Sequence, residues 1–271
     1  MRIAIVTGAN KGIGKAIAKS LASSGTFTQV ICACRDETRG LSAGQDIQQT
    51  SDNGCDVIYL PLTIGDISSH ENFYNEILER FGKCDVLVNN AGMAFKNADP
   101  TPFKQQCKPT LDVNFRGTAS FTDLMMPLLR KGNDARLVNV ASMSGYLSQL
   151  RSKELQERFS NENVSKEEIH ALVDKFEKDV LQGTHVENGW GNSNYGISKL
   201  ALIAMTKVWA REERDNGIAV NCCCPGYCDT DMTSHKGPRS PEEGAKNAVI
   251  PCLMKDPPSG QFFSNFEVAE W

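Results

Sequence analysis

The sequence has no long apolar run and little imbalance of charge. No stretch approaches the roughly twenty apolar residues that span a bilayer, and 29 basic residues face 33 acidic ones. We therefore expect no membrane partner and no nucleic-acid partner. Residues 1–6 run directly into an apolar, strand-like stretch, so no secretory signal is predicted and a cytoplasmic location is expected.

Spacings typical of metal sites are also missing. The ten cysteines include no C-x2-C pair, and the four histidines are scattered along the chain. No metal is therefore predicted, the thiols are expected to be reduced, and the histidines are expected at the surface. Cys222, Cys223 and Cys224 are consecutive in a predicted strand, where neighbours face opposite sides, so packing is favoured over a metal or redox role.

Apolar strand-like runs alternate with helix-like segments along most of the 271 residues. This alternation predicts an α/β fold with a doubly wound parallel sheet, in a single domain over residues 1–271. Predicted strands cover residues 3–7, 29–34, 56–61, 85–89, 135–140 and 219–223. Predicted helices cover residues 14–24, 37–49, 68–81, 109–129, 195–214 and 241–253.

Residues 151–188 interrupt this alternation. They contain no strand-like run and carry six basic and nine acidic residues. Ser165 and Glu168 form a capping-box pattern, and Gly183 is placed to end the helix that follows. The apolar residues of that helix share one face, so the segment is predicted to be a helical insertion that packs on the main body.

A glycine-rich turn follows the first predicted strand and opens the first predicted helix. Backbone amides in such a turn can approach a pyrophosphate at the helix N-terminus. The residues expected to bind the cofactor here are Gly8, Asn10, Lys11, Gly12, Ile13 and Gly14.

The end of the second predicted strand bears on the choice between NADP and NAD. Arg35 lies there and Lys11 lies in the glycine-rich turn, so two cations could converge on a 2′-phosphate. Asp36 is the contrary signal, because a shift of one residue would place a carboxylate at the ribose and favour NAD. The pattern favours NADP(H), with a solvated Arg35 as the alternative.

Tyr195 is the one tyrosine of five that is followed by a lysine four residues later, Lys199. On a helix these positions share a face, and a nearby ammonium would lower the pKa of the phenol from about 10. Ser142 follows the fifth predicted strand, at the edge where doubly wound sheets bind ligands. Asn114 lies within a predicted helix, where asparagine is unfavourable, which suggests a packing or functional role.

Together these motifs resemble the short-chain dehydrogenase/reductase family, which has a Rossmann fold. The turn matches its TGxxxGxG motif, and residues 89–92 match its NNAG element, which includes Asn90. The resemblance implies a catalytic tetrad of Asn114, Ser142, Tyr195 and Lys199. In that family serine orients the carbonyl, tyrosine transfers the proton, lysine binds the ribose, and asparagine supports a water relay. A later segment covers the nicotinamide; its counterparts here are Pro225, Gly226, Thr230, Asp231 and Met232.

Within the family, the chain is similar to NADPH-dependent carbonyl reductases over essentially its full length. Ser142 and Tyr195 are 53 residues apart in this chain, and the resemblance implies that those enzymes share the insertion that separates them. The resemblance implies a monomer, because the insertion covers a surface that pairs subunits in relatives. It also implies that glutathione conjugates are candidate substrates, held by Phe95, Lys96, Asn97 and Gln106. Several positions depart from the pattern. Thr63 replaces an aspartate near the adenine, Tyr227 replaces a tryptophan beside the substrate, Ser144 replaces a methionine, and Asn97 differs in residue type.

The predicted function is transfer of a hydride from NADPH to the carbonyl of a ketone, aldehyde or quinone, with Tyr195 donating the proton. Two alternatives stay open. One is a substrate-specific ketone reductase or alcohol dehydrogenase of the same family. The other is a non-catalytic sensor of NADP, although a sensor has no need of a tyrosine beside a lysine.

Overall fold

The computed structural model describes residues 1–51, 53–96 and 98–271. Its centre is one sheet of eight strands in the order β3-β2-β1-β4-β5-β6-β7-β8, parallel except for β8. The strands are β1 (Ile3–Thr7), β2 (Gln29–Cys34), β3 (Asp56–Pro61), β4 (Val86–Asn89), β5 (Arg136–Val140), β6 (Ala219–Cys224), β7 (Phe262–Ser264) and β8 (Glu267–Ala269). The predicted doubly wound α/β fold is confirmed.

Helices cover both faces of this sheet. They are α1 (Gly12–Ala22), α2 (Glu37–Gln48), α3 (Ile67–Arg80), α4 (Phe103–Leu111), α5 (Thr118–Leu129), α6 (Lys153–Ser160), α7 (Lys166–Gln182), α8 (Asn194–Glu212) and α9 (Pro241–Leu253). Alternate residues of a strand point to opposite faces of the sheet and belong to two hydrophobic cores. Ile5 lies in the core formed with α5 and α8, and Val6 lies in the core formed with α1 and α9. Covering both faces explains why the central strands are continuously apolar.

The strand order reverses direction at β1. Because β1 pairs with β2 on one side and β4 on the other, the chain leaves β1 and β4 towards opposite ends of the sheet. In doubly wound sheets a crevice opens at the carboxyl ends of such strands, and ligands bind there. Thr7 ends β1 and Asn89 ends β4, so the two glycine-containing motifs of the sequence meet at this crevice.

The insertion consists of α6 and α7. Ser165 caps α7 by accepting a hydrogen bond from the Glu168 amide, and Gly183 ends it in the left-handed conformation with a φ of 77°. Its predicted apolar face is buried, and α7 contacts α4 and α8. Trp190, fully buried beside this helix, donates from Nε1 to Asp179 Oδ2 over 2.8 Å.

The structure corrects the helix predicted over residues 109–129. Instead, α4 begins at Phe103, a wider π-helical segment occupies Asp112–Gly117, and α5 follows. Periodicity could not reveal this, because a single π turn changes the spacing of apolar residues only locally. β7 and β8 were not predicted either, since three-residue strands carry too little alternation to recognise.

His70 is a second correction. Its side chain is buried instead of lying at the surface, its Nε2 accepts a hydrogen bond of 3.2 Å from the Gly65 amide, and its ring lies 5.3 Å from that of Phe121. Burial lowers the pKa of His70, so the neutral form suits this packing position. The ten cysteines are all buried and unbridged, and the consecutive trio divides between the two sides of β6 as expected.

Candidate active site

The glycine-rich turn places α1 with its N-terminus open towards the crevice. Among the residues that the structure describes, no side chain caps the first turn of α1, so its amides are available to an anion. Gly12 has a φ of 54°, which favours glycine. A Cβ on Gly14 would lie 2.3 Å from the Gly8 carbonyl oxygen and 2.4 Å from Asn90 Nδ2, so only glycine fits there. These features fit the pyrophosphate of a dinucleotide.

Asn90 fastens this turn to the end of β4. Its Nδ2 donates to the carbonyl oxygen of Thr7 over 2.9 Å, and its own amide donates to Thr7 Oγ1 over 3.0 Å. Thr7, which sequence reasoning passed over, thus joins both motifs through its backbone and its hydroxyl. Its signal was its position as the last residue of β1, immediately before the first glycine of the turn.

Arg35 and Asp36, the two candidates at the end of β2, have different surroundings. Asp36 caps α2, accepting from the Arg39 amide over 2.9 Å, and also lies 3.5 Å from Arg39 Nε. Arg35 is exposed, and no hydrogen bond or ion pair holds its guanidinium among residues 1–51, 53–96 and 98–271. Asp36 therefore serves the local helix, whereas Arg35 is available for a phosphate.

Lys11, the second predicted cation, has a different partner. Its Nζ lies 2.5 Å from Asp231 Oδ2, and Asp231 also bonds His235 over 3.1 Å. This ion pair joins the glycine-rich turn to the segment that follows β6. Lys11 must exchange Asp231 for the 2′-phosphate if it binds that group.

Tyr195 and Lys199 lie in the first two turns of α8. Lys199 is 4% exposed, its Nζ donates to the carbonyl oxygen of Val140 over 2.8 Å, and it lies 5.7 Å from the centre of the Tyr195 ring. Burial lowers the pKa of Lys199 to about 8. Burial also raises the pKa of Tyr195 to about 12, whereas the sequence predicted that Lys199 would lower it. The nearby Ser142 hydroxyl lowers the pKa of Tyr195, but by less than burial raises it.

Asn114 is fully buried in the π-helical segment and is held by three hydrogen bonds. Its Oδ1 accepts from the Met93 amide, and its Nδ2 donates to the Met93 carbonyl oxygen, both over 2.8 Å. Nδ2 also donates to Ser198 Oγ over 3.2 Å. A Cβ on Gly92 would lie 3.1 Å from Asn114 Oδ1 and 3.7 Å from Lys199 Nζ, so these two polar groups flank the same glycine.

A cavity of about 610 Å³ opens beside Tyr195 and Ser142. Predicted residues that line it are Ile13, Phe95, Lys96, Gln106, Ser142, Tyr195, Pro225, Gly226, Tyr227, Thr230 and Met232. Sequence reasoning did not identify Lys236, Asn192 or Asn194, which also line it. Their positions in loops and at a helix start carried no recognisable motif.

Other predicted residues lie away from this cavity. Asn114 and Lys199 are not among the residues that line it, and Arg35 follows the last residue of β2. Thr63 is half-buried after β3, where its amide donates to Ser69 Oγ over 2.9 Å. Asn97, predicted to bind substrate, lies outside the described residues. Cys224 is buried, and its Sγ accepts from the Gly226 amide over 3.3 Å.

Comparison with known proteins agrees with this geometry. The family model described as short chain dehydrogenase matches residues 2–153 and 183–240. The chain belongs to this family. The match leaves out residues 154–182, which form most of α6 and all of α7.

Individual family members align along nearly all of the chain. Carbonyl reductase [NADPH] 1 of Homo sapiens is 38% identical, with 100% of this chain and 99% of that protein covered. Salutaridine reductase from Papaver somniferum has a TM-score of 0.87 at 31% identity, covering 97% of this chain and 99% of its own. Menthone neomenthol reductase from Mentha piperita has a TM-score of 0.83 at 29% identity, covering 98% and 99%.

Within the described ranges, none of the helices has the length and apolar character that a membrane span requires. The same part of the chain contains no cluster of three or more histidine, cysteine or acidic side chains suited to a metal ion.

Proposed function

We propose that this chain is an NADPH-dependent carbonyl reductase acting on ketones, aldehydes or quinones. The observation that carries the proposal is that Tyr195 and Ser142 line one cavity, with Lys199 behind the Tyr195 ring and an uncapped phosphate-binding turn at the same edge of the sheet. Full-length similarity to carbonyl reductase [NADPH] 1 supports the same activity. When bound, NADPH supplies the hydride.

The protein's own residues account for binding the carbonyl and moving the proton. Ser142 and Tyr195 both line the cavity, so the Ser142 hydroxyl can hold the carbonyl oxygen against the phenol. Tyr195 then donates its proton to the oxygen as negative charge develops there. The raised pKa of Tyr195 keeps the phenol protonated before reaction, which is the form that a proton donor requires.

Lys199 and Asn114 are proposed to complete the tetrad. The Lys199 ammonium holds the end of β5 through Val140 and lies near the Tyr195 ring, where it stabilises the phenolate formed by proton donation. Asn114 flanks the same glycine as Lys199, a position that suits a water relay returning a proton to the site. The same assembly disfavours a purely sensory protein.

Cofactor preference is proposed to come from Arg35 and Lys11. Arg35 is exposed and free of ion pairs within the described chain, whereas Asp36 is engaged as a helix cap. A guanidinium binds a phosphate through paired, charge-assisted hydrogen bonds, so these residues favour NADPH over NADH.

Three further features are proposed from the resemblance. Glutathione conjugates are candidate substrates because Phe95, Lys96 and Gln106 line the cavity. A monomer is proposed because α7 lies over α4 and α8, and a stable tetramer in size-exclusion chromatography would contradict it. A cytoplasmic location is proposed because the ten cysteines are unbridged, and localisation of a tagged chain tests it.

The decisive experiment follows NADPH absorbance with menadione, aromatic ketones and aldehydes as substrates. We expect turnover by the parent and loss of at least about a hundredfold with Tyr195→Phe, because general acid catalysis contributes that much. Turnover of one ketone alone would indicate the substrate-specific alternative. NADPH binding without turnover on the whole panel would contradict the reductase and favour the sensor.

A further inference from the structure

The π-helical segment that carries Asn114 is attached to the insertion through Arg116. The Arg116 guanidinium donates to Asp112 Oδ1 over 2.8 Å, within the segment itself. It also donates to Asp174 Oδ1 over 2.6 Å and to Glu177 Oε2 over 2.7 Å, both on α7. One side chain thus joins the helix turn beneath Asn114 to the insertion.

An aromatic contact reinforces this attachment. Phe115, between Asn114 and Arg116, is fully buried, and its ring lies 4.9 Å from that of His170 on α7. Because Phe115 and Arg116 both contact α7, the segment cannot rotate about its axis without breaking contacts of two kinds. The direction of the Asn114 side chain depends on that rotation.

Arg116 neutralises three carboxylates, so its replacement by an uncharged residue should leave them to repel one another. Its side chain is 23% exposed and Glu177 is 16% exposed, so this pairing is partly shielded from water. The three carboxylates raise the pKa of Arg116 further above its usual range. Without the guanidinium, Asp112 would keep its pair with Lys108, but Glu177 and Asp174 would face it without compensation. The resulting repulsion would push α7 away from the segment.

A π turn needs such restraint from outside. Its wider hydrogen-bonding pattern is uncommon and occurs mostly as short bulges, frequently at functional sites. At its far end, a Cβ on Gly117 would lie 2.6 Å from the Gly65 amide nitrogen, so the segment is tightly packed there. In the middle of the segment, the Asn114 side chain is hydrogen-bonded to the amide and the carbonyl oxygen of Met93. Arg116 supplies the restraint on the remaining side.

We propose that Arg116 is a positioning residue, through which the insertion fixes the register of the π-helical segment and hence the placement of Asn114. This inference rests on the proposed function, because Asn114 has a catalytic task only if the chain is a reductase. On this proposal the insertion supports the proton relay by positioning Asn114, in addition to covering the surface that pairs subunits in relatives.

The test compares Arg116→Met with Lys166→Met, a matched variant at the first residue of α7. Lys166 is 26% exposed and joins α7 to Asp123 and Glu212 over 2.8 and 2.9 Å, away from Asn114. Both variants are expected to lower Tm. We expect only Arg116→Met to lower kcat, by about tenfold, with the KM for NADPH unchanged, because misplacing a catalytic group reduces rate steeply.

A double-mutant cycle with Asn114 distinguishes a positioning role of Arg116 from general destabilisation of the fold. In an Asn114→Ala background, Arg116→Met should change kcat by less than about twofold, because the group it positions is already gone. Arg116→Lys should recover at least half of the lost rate. If Arg116→Met does not fold, Glu177→Gln takes its place in the same cycle, with an expected fall of about threefold.

Two results would overturn the inference while leaving the reductase intact. One is an equal effect of Arg116→Met and Lys166→Met on kcat, with the parent fully active. The other is the same fold-change from Arg116→Met with or without Asn114. Failure of the proposed function looks different, because the parent itself would then show no turnover.

Discussion

Lys199→Met should make the protein more stable while abolishing its activity. Lys199 is 4% exposed, and burial lowers its pKa to about 8. Against the ordinary lysine value of about 10.4, keeping the ammonium charged in the fold costs roughly 3 kcal/mol. Losing the hydrogen bond to Val140 offsets about 1 kcal/mol of this, which leaves a net gain of about 2 kcal/mol at pH 7. For a chain of this size, Tm should rise by roughly 4–8 °C.

The dependence on pH identifies the cause. Below about pH 8 both folded and unfolded chains hold the proton on Lys199, so the parent bears the whole penalty. Between about pH 8 and roughly 10.4 the unfolded chain keeps the proton that the folded chain has released, so the stability of the parent rises with pH. The advantage of Lys199→Met should therefore be greatest at pH 7 and shrink towards pH 10.

Urea denaturation of both proteins at pH 7 and pH 10 measures this difference, and other titrating groups cancel in the comparison. Lys246→Met is the control, because Lys246 is exposed on α9 and its replacement should show no such dependence on pH. A Lys199→Met protein that is less stable than the parent at pH 7 would refute the reasoning. So would an advantage that stays constant up to pH 10.

Two further predictions concern the cofactor and the tetrad. Arg35→Asp should lower the preference for NADPH over NADH by at least about tenfold, measured as the ratio of the two kcat/KM values. The reason is that a carboxylate repels the 2′-phosphate and can accept a hydrogen bond from a ribose hydroxyl. An unchanged ratio would show that Arg35 does not contact the cofactor. Gly92→Ala should lower kcat by about tenfold with little change in Tm, because its methyl group would lie 3.1 Å from Asn114 Oδ1 and displace that amide. An unchanged kcat would show that Asn114 need not keep its present position.

Local features of the chain predicted most of the fold. β1, β2, β3 and α9 have the bounds that the sequence predicts. Such elements are recognisable because burial on both faces demands continuous apolar residues, and because helix caps and proline mark ends locally. The capping of α7 by Ser165 follows from the same local chemistry.

The candidate site could be predicted only in part. The tyrosine–lysine pair and the glycine-rich turn are short motifs, so they could be recognised without knowledge of the fold. Thr7, Lys236 and Asn194 acquire their places through contacts between distant elements, which no local pattern encodes. The partner of Lys11 is a further example, because Asp231 lies 220 residues away in sequence.

The sequence by itself determined the alternation of strands and helices, the insertion between Ser142 and Tyr195, and the residue types that can transfer a proton or bind a phosphate. Tertiary structure decided how those residues act. Burial sets the pKa values of Tyr195 and Lys199, because desolvation depends on everything packed around a side chain. It also decided that Asn114 lies in a π turn attached to α7, because that geometry depends on contacts between segments far apart in the chain.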